Sequence, residues 1–261
     1  MTLDPAAALL TDRVAVVTGA AVGIGEAIAL ALARFGAHVA ICDRDVEQLD
    51  GTADGVEAAG RRVVAAELDV RDDEACARFV DTVTGELGAI DVLVNNAGGG
   101  FYADFLDVSG KGQDALVREN FYSVTNFVRP TVAAMGSRGG SIVNLTSIEA
   151  HRAAPGYAVY SAMKAAVSNL TKTLALELGP RGIRVNCIAP DVIPTPGIGP
   201  VGVHTPLPVA GSVDDVAGAA VFLAGDLSRF VTGTTIHVDG GNLAAGGWHR
   251  TADDTYLTHA P

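Results

Sequence analysis

Two titratable side chains, Tyr160 and Lys164, stand four residues apart in the stretch "VYSAMK", among small apolar residues. On a helix they would share one face. A free phenol has a pKa of about 10, too high for a general base near neutrality. An ammonium about 5 Å away, at an effective dielectric of about 20, favours the phenolate by roughly 3 kcal/mol, or about two pKa units. The spacing predicts a proton-transfer pair that serves an alcohol or a ketone. The alternative is a surface pair without a task.

The chain around this pair alternates short β-branched runs with longer helical patterns. Seven strands are predicted, from "RVAVVTG" to "TTIHVDGG", with two long helices at about 114–134 and 157–178. Such alternation is typical of an α/β fold, here a doubly wound seven-stranded parallel sheet with helices on both faces. We expect one Rossmann-type catalytic domain over residues 1–261, with a catalytic helix at about 157–178, a substrate loop at about 191–210 and a C-terminal tail at about 243–261. Ser147 ends the fifth strand, so its hydroxyl should meet Tyr160 at the carboxyl edge of the sheet.

A glycine-rich loop, "TGAAVGIG" (18–25), follows the first strand and opens the first helix. Gly19, Gly23 and Gly25 allow a tight turn and a close approach of the backbone to a ligand, and the helix N-terminus offers free N–H groups to a pyrophosphate. The alternative is an ordinary strand-to-helix turn. The position after the first strand of an α/β chain favours a nucleotide site.

Polar residues end the next strands. Asp43 ends the second strand, where a carboxylate can accept both ribose hydroxyls of a dinucleotide; the alternative is a solvated loop acid. Asp69 ends the third strand and could receive the adenine amino group, or could cap the following helix. Asn95 and Asn96 in "NNAG" could tie strand ends together, and Ala97–Gly98 leave room for a cofactor.

These motifs together resemble the short-chain dehydrogenase/reductase family, over residues from about 13 to 242. The resemblance implies that Tyr160 is the acid/base, that Lys164 lowers its pKa and holds the nicotinamide ribose, and that Ser147 binds the reacting oxygen. It also assigns to Asn120 a water-linked contact with Lys164. The cofactor-binding residues are then expected to be Gly19, Val22, Gly23, Ile24, Gly25, Asp43, Arg44, Asp69, Val70, Asn96, Ala97, Gly98, Tyr160, Lys164, Pro190, Val192 and Thr195.

One departure from the family pattern follows the sixth strand. Asp191 stands where the family usually has Gly, and we expect it to adopt left-handed backbone, which Asp tolerates better than most residues. Val192 is expected to donate its N–H to the nicotinamide amide, and Thr195 to meet that amide as well. NAD is expected over NADP, because Asp43 would repel a 2′-phosphate and Val22 stands where NADP enzymes place a base. Arg44 could stack on the adenine or reach a phosphate.

The substrate is expected to be a neutral secondary alcohol, such as a diol, a sugar or a cyclic alcohol, or the corresponding ketone, because the loop 194–208 has no Lys or Arg to clamp an anion. Glu149, His151 and Tyr157 are candidate substrate residues, and Glu149 or His151 could hold a second hydroxyl of a diol or sugar. Three functions remain open. They are an NAD-dependent alcohol or polyol dehydrogenase, a 3-oxoacyl thioester reductase, and a cofactor-binding sensor without catalysis.

Composition limits the partners. The net charge is −12, which argues against nucleic acid and anionic membranes. Cys42, Cys76 and Cys187 are far apart and predict reduced thiols in a cytoplasmic protein, with neither a disulfide nor a metal site. There is no signal-peptide pattern and no apolar run of about 18 residues. A homotetramer is expected from the family resemblance, from the two long helices and from apolar residues of the tail (Trp248, Tyr256 and Leu257).

Overall fold

A computed structural model describes residues 4–199, 201–203, 205–251, 253 and 255–258. The strands of the main sheet are β1 (Val14–Thr18), β2 (His38–Asp43), β3 (Val63–Glu67), β4 (Val92–Asn95), β5 (Gly140–Leu145), β6 (Ile183–Pro190) and β7 (Thr235–Val238). The helices are α1 (Gly23–Arg34), α2 (Val46–Ala58), α3 (Asp73–Leu87), α4 (Gly110–Val117), α5 (Ser123–Met135), α6 (Ala158–Leu178), α7 (Val213–Ala224) and α8 (Asn242–Ala245).

The main sheet has the order β3-β2-β1-β4-β5-β6-β7, and all of its neighbouring strands are parallel. The predicted Rossmann-type sheet in a single domain is confirmed. The chain order reverses between β1 and β4, so the carboxyl ends of these two strands flank the switch point at which such sheets bind ligands.

Two hydrophobic cores lie on opposite faces of the sheet. One contains buried residues of α1, α2 and α7 and the other buried residues of α3, α5 and α6. β1 is buried along its whole length, as its unbroken apolar run predicts for a strand covered on both faces. The edge strand β7 is only half-buried.

Local sequence explains where several helices begin. The side chain of Asp45 caps α2, that of Asp72 caps α3, and Ser212 and Asp215 form a capping box at α7. The cap of α3 is therefore Asp72, and the capping alternative for Asp69 is wrong. In contrast, no side chain caps α1 at the glycine loop.

The helix predicted at about 114–134 begins earlier and is interrupted. α4 passes into a π-helical turn, Arg118–Tyr122, before α5 begins. The other long helix, α6, agrees closely with the prediction. The tail forms an unpredicted two-stranded antiparallel ribbon of β8 (His249–Arg250) and β9 (Tyr256–Leu257). Residues 200 and 204 of the predicted substrate loop, and 252, 254 and 259–261 of the tail, lie outside the described residues.

Candidate active site

Ser147, Tyr160 and Lys164 meet at the carboxyl edge of the sheet. Ser147 follows β5 and caps the short helical turn Ile148–Ala150, where its Oγ accepts the N–H of Glu149 at 3.1 Å. The Ser147 hydroxyl lies close enough to the Tyr160 phenol to favour a lower pKa of that phenol. Nζ of Lys164 lies 5.6 Å from the centre of the Tyr160 ring. The three side chains that the sequence predicted as one group are therefore brought together.

The phenol of Tyr160 is harder to ionise here than expected. Burial raises its pKa above the usual value, the hydroxyl of Ser147 opposes this rise, and the charge of Glu149 adds to it. Burial also lowers the pKa of Lys164 to about 8, which weakens its hold on a phenolate. Burial thus opposes the depression of the Tyr160 pKa that was expected from Lys164.

Lys164 is held in place by backbone. Its buried Nζ donates to the carbonyl of Leu145 at 3.0 Å. A Cβ on Gly98 would lie 3.0 Å from this Nζ and 2.9 Å from Oδ1 of Asn120. Gly98 therefore fits between the side chains of Lys164 and Asn120 only because glycine has no side chain. Gly100 is equally close to Tyr160, with an added Cβ 3.1 Å from the ring.

Asn120 lies fully buried within the π-helical turn. Its Nδ2 donates to the carbonyls of Gly99 at 2.8 Å and Leu116 at 3.0 Å, and its Oδ1 accepts the N–H of Gly99 at 3.2 Å. Single π turns are frequent at functional sites. The turn directs Asn120 to the loop after β4, and "AGGG" (97–100) was the sequence signal for this close packing.

A chain of buried hydrogen bonds crosses the sheet next to Ser147, Tyr160 and Lys164. Asn95 donates to Oδ1 of Asn144 at 2.8 Å, Asn144 donates to the hydroxyl of Thr171 at 2.8 Å, and the thiol of Cys187 bonds to the same hydroxyl at 3.1 Å. The chain joins β4, β5, β6 and α6. Asn95 therefore ties strand ends together, as one of its two interpretations predicted.

The glycine loop is drawn tightly against the end of β4. Nδ2 of Asn96 donates to the carbonyls of Thr18 and Gly19 at 3.0 and 2.8 Å. A Cβ on Gly25 would lie 2.0 Å from the Gly19 carbonyl oxygen. Sequence reasoning missed Thr18, whose hydroxyl accepts the N–H groups of Asn96 and Ala97 at 3.1 and 3.0 Å.

Asp43 and Arg44 lie beside this loop. Oδ2 of Asp43 accepts the N–H of Ala21 at 3.1 Å, and its Oδ1 accepts the N–H groups of Arg44 and Asp45. The Arg44 guanidinium pairs with Glu119 at 3.2 Å. The guanidinium of Arg44, which could have bound a phosphate, is therefore paired with the carboxylate of Glu119.

The adenine end of the expected site holds an ion pair. Asp69 binds Arg71 through Nε, Nη2 and the backbone N–H, which lowers the pKa of Asp69 to about 2. The carbonyl of Val70 accepts Nδ2 of Asn126 at 3.1 Å. The sequence did not signal that Arg71 would engage Asp69.

Asp191 does not adopt left-handed backbone, so that expectation is wrong: Asp12 is the only non-glycine residue with positive φ in the described part of the chain. Instead, Oδ1 of Asp191 accepts the N–H of Val192 at 2.7 Å, and Oδ2 accepts Nδ2 of Asn242 at 2.7 Å. The backbone donor expected for the nicotinamide amide is thus held by the neighbouring carboxylate. Pro190 ends β6 just before this segment.

The hydrogen bonds continue from Asn242 towards the catalytic group. Oδ1 of Asn242 accepts Nη1 of Arg152 at 3.2 Å, and Arg152 pairs with both carboxylate oxygens of Glu149 at 2.8 and 3.3 Å. The side chains of Asp191, Asn242, Arg152 and Glu149 will be called the polar bridge. Glu149 was predicted to contact the substrate and Asp191 was a departure from the family pattern, but the hydrogen bonds that join the four side chains were not predicted, because the four positions share no periodic pattern.

The other two candidate substrate residues have different surroundings. The ring of His151 packs edge-on against His237 with centroids 4.8 Å apart, and burial, together with the charge of His237, lowers the His151 pKa. Tyr157 lies between Tyr160 and Tyr102, with ring centroids 6.3 and 5.8 Å away. Of these two residues, Tyr157 is the one whose ring packs against that of Tyr160.

The residues present fit a nicotinamide dinucleotide. The uncapped start of α1 offers N–H groups where a pyrophosphate binds. Val22 and Ile24 lie in this turn beside Gly23, and an added Cβ on Gly23 would come within 3.1 Å of the Thr195 side chain. The glycine loop and the segment after β6 therefore form two sides of one cleft, and Tyr160 and Lys164 stand at the same edge of the sheet.

Comparisons with known proteins agree with this geometry. A family profile described as enoyl-(acyl carrier protein) reductase matches residues 19–242. Gluconate 5-dehydrogenase of Gluconobacter oxydans (strain 621H) is 39% identical over 244 residues, which cover 89% of this chain and 95% of that protein. The 3-oxoacyl-[acyl-carrier-protein] reductase of Thermotoga maritima (strain ATCC 43589) is 38% identical over 241 residues, covering 89% and 98%.

Among solved structures, carveol dehydrogenase from Mycobacterium avium in complex with NAD superposes with a TM-score of 0.85 at 33% identity, covering 90% of this chain and 99% of that chain. The chain belongs to the short-chain dehydrogenase/reductase family. It is an oxidoreductase that binds a nicotinamide cofactor.

Proposed function

We propose that this protein is an NAD-dependent oxidoreductase that interconverts a neutral secondary alcohol and its ketone. The observation that carries the proposal is the meeting of Ser147, Tyr160 and Lys164 at the carboxyl edge of the sheet. Nζ of Lys164 lies 5.6 Å from the centre of the Tyr160 ring, one helical turn further along α6. This arrangement places a proton acceptor and a hydroxyl donor side by side at the carboxyl edge of the sheet. A reacting carbinol oxygen can contact both.

The side chains of the protein carry out the proton transfer of the reaction. In oxidation, ionised Tyr160 takes the proton of the alcohol O–H, and Ser147 donates a hydrogen bond to the reacting oxygen as the C–O bond becomes C=O. When bound, the nicotinamide accepts the hydride that leaves the carbinol carbon. Reduction reverses each transfer, and Tyr160 returns the proton to the oxygen. Lys164 supports the phenolate by charge, and Asn120 orders the loop beside Lys164 through Gly99.

The preference for NAD is supported by the charges around the ribose position. Asp43 lies against the glycine loop, Val22 offers no cation, and Arg44 is paired with Glu119. The 2′-phosphate of NADP would lie beside the carboxylate of Asp43, and no unpaired guanidinium would neutralise its charge. We propose that Asp43 reads the ribose hydroxyls, and that Asp69 and Val70 contact the adenine.

A 3-oxoacyl thioester reductase is the second candidate, and the relative from Thermotoga maritima favours it. Such a reductase would normally use NADPH and a basic surface for its carrier. The net charge of −12 argues against that surface. A sensor without catalysis is a weaker candidate, because a binding protein has no physical need for Ser147, Tyr160 and Lys164 together.

We further propose a cytoplasmic homotetramer with a small-molecule substrate and no nucleic-acid or membrane partner. Cys42, Cys76 and Cys187 are buried free thiols, as a reducing compartment favours. No helix within the described residues is long and apolar enough to cross a membrane. The half-buried edge β7, together with exposed Leu176 and Trp248, supports association. Light scattering that shows a 26.6 kDa species at micromolar concentration would contradict the tetramer.

The test of the catalytic assignment is Tyr160→Phe. We expect nearly complete loss of turnover on a panel of alcohols and ketones, followed through the absorbance of reduced nicotinamide with both cofactors. Binding of NADH should remain almost unchanged, since the ring stays in place and only the proton-transfer group is lost. A variant that keeps a tenth or more of the wild-type kcat would show that Tyr160 is not the acid/base.

A further inference from the structure

Aromatic rings lead outward from the catalytic phenol. The ring of Tyr157 meets that of Tyr160 edge-on at 6.3 Å, and the ring of Tyr102 meets that of Tyr157 edge-on at 5.8 Å. Tyr102 is 70% exposed and Tyr157 is 38% exposed. Large rings that begin at a reactive group and stay uncovered offer an apolar ligand a surface on which to stack. The rings of Tyr102 and Tyr157 will be called the aromatic wall.

The aromatic wall is held in position although it is exposed. The N–H of Ala103 donates to the carbonyl of Gly156 at 3.0 Å, which joins the loop after β4 to the residue before Tyr157. An added Cβ on Gly156 would lie 2.2 Å from the Tyr102 ring, so the ring packs directly on bare backbone. The wall is therefore preorganised, and a ligand would not have to order it first.

The segment after β6 adds a second apolar surface. It borders a cavity of about 510 Å³ whose apolar lining includes Val192, Ile193, Val203 and Leu207. Arg152 also lines this cavity, and its partner Glu149 donates its N–H to the hydroxyl of Ser147. The cavity thus adjoins the catalytic group through the polar bridge. A groove of about 520 Å³ at the opposite edge of the sheet, beside Gly136 and Arg181, lies away from these residues.

The charges on this cavity disfavour an anionic substrate. Within the described residues of its lining, Arg152 is the one Lys or Arg side chain, and three carboxylates accompany it: Asp191, Asp215 and Asp239. Arg152 is already paired with Glu149 and bonded to Asn242. Because both carboxylate oxygens of Glu149 are engaged by Arg152, Glu149 is also a poor partner for a second substrate hydroxyl.

We propose that the substrate is an uncharged, ring-bearing secondary alcohol whose ring lies on the aromatic wall, an inference that rests on the proposed function. The carbinol carbon loses hydride to the oxidised nicotinamide, the hydroxyl proton passes to Tyr160, and the product is the ring ketone. Tyr102 and Tyr157 select the substrate ring by apolar contact. Because Arg152 is already paired with Glu149, it does not provide a counter-ion for an acidic substrate. Gluconate and acyl thioesters fit this site less well than cyclohexanol.

The first experiment compares kcat/KM for cyclohexanol, 2-propanol and gluconate, with cyclohexanone and acetoacetyl-CoA in the reverse direction. Cyclohexanol should exceed gluconate by about a hundredfold or more and 2-propanol by about tenfold or more, since each methylene in an apolar pocket is worth a factor of about 10 or more. Preference for gluconate or for acetoacetyl-CoA overturns the inference but leaves the proposed alcohol–ketone chemistry standing. Failure of every alcohol and ketone would count against the proposed function instead.

The second experiment tests the aromatic wall. Tyr102→Ala should lower kcat/KM for cyclohexanol about tenfold while 2-propanol changes little, and Tyr102→Phe should restore the ring preference. Phe230→Ala is the matched control, because Phe230 is 97% exposed and lies after α7. Equal losses on both alcohols in Tyr102→Ala would show that Tyr102 supports the fold and does not select the ring.

The third experiment tests the charge. Glu149→Gln should release Arg152 and reduce discrimination against gluconate, measured as the ratio of kcat/KM for cyclohexanol to kcat/KM for gluconate, about tenfold. Unchanged discrimination would overturn the role of the Glu149–Arg152 pair. Binding is read without turnover by saturation-transfer NMR of cyclohexanone on Tyr160→Phe with NADH. Signal that disappears on adding Tyr102→Ala supports the aromatic wall, and absence of signal in Tyr160→Phe itself overturns it.

Discussion

The carboxylate of Asp191 accepts the backbone N–H of its neighbour Val192 at 2.7 Å. A single N–H cannot serve two acceptors at full strength, and Val192 is the residue proposed to hold the nicotinamide amide. If Val192 holds the amide, Asp191 competes with the cofactor for this donor. Its other oxygen is fixed by Asn242, which keeps the carboxylate in the competing orientation.

Removal of this competition should tighten cofactor binding. We expect Asp191→Ala to lower the Kd of NADH about fivefold, the equivalent of about 1 kcal/mol for one hydrogen bond. Asn242→Ala removes the contact that orients the carboxylate but keeps the carboxylate itself, so it should lower the Kd by less than Asp191→Ala does. Fluorescence titration of NADH measures both. Weaker binding in Asp191→Ala would mean that the carboxylate orders the segment for the cofactor.

The ionisation of Tyr160 should depend on the oxidised cofactor. In the free protein, burial holds the Tyr160 pKa above its usual value, and Lys164, with a pKa of about 8, loses its charge as pH rises past that value. The cationic nicotinamide should move the Tyr160 pKa downward, so alcohol oxidation rises with pH as phenolate forms. Ultraviolet difference spectra of wild type against Tyr160→Phe, with and without NAD, measure the shift.

Lys164→Met should raise the apparent pKa of oxidation and remove most of the rise with pH in the accessible range. The same pH profile in wild type and in Lys164→Met would contradict a charge effect of Lys164 on the phenol.

Asp43 should decide between NAD and NADP. At about 4 Å and an effective dielectric of about 20, each like-charge pair with a 2′-phosphate costs on the order of 4 kcal/mol before screening. A third of that gives about a tenfold preference. Asp43→Ser should therefore raise kcat/KM with NADP. Glu119→Gln frees Arg44 without changing Asp43 and serves as the comparison. A wild-type preference for NADP would refute the assignment.

Gly98 should tolerate no side chain. Its Cβ would crowd Oδ1 of Asn120 and Nζ of Lys164, whereas a Cβ on Gly99 meets nothing within 4 Å. Gly98→Ala should lower kcat about tenfold or more, because small displacements of catalytic groups are costly. Gly99→Ala should stay within about twofold of wild type. Paired kcat and thermal-melting measurements separate misplacement from unfolding, and equal effects of the two substitutions would contradict the packing argument.

Local and periodic features were predictable from the sequence. The unbroken apolar run of β1 and the spacing of Tyr160 and Lys164 express backbone geometry directly, and the fold followed from such patterns. The pairing of Asp69 with Arg71, the polar bridge and the π-helical turn at Asn120 did not. The polar bridge depends on which rotamers meet after distant loops converge, as with Arg152 and Asn242, and no spacing along the chain encodes that encounter. The Asp69–Arg71 pair and the π-helical turn are local, but they depend on a choice of rotamer or of backbone hydrogen bond that the pattern of residue types leaves open.

The buried hydrogen bonds that join Asn95, Asn144, Thr171 and Cys187 also affect how activity is gained and lost. Asn144 is 49 residues from Asn95 and 27 from Thr171, so these bonds form only when remote parts of the chain have come together. These bonds join α6 to the central strands of the sheet. α6 is therefore not part of a peripheral segment that can unfold locally on its own. During denaturation, loss of turnover should coincide with global unfolding, and during refolding, turnover should return only with the final cooperative step.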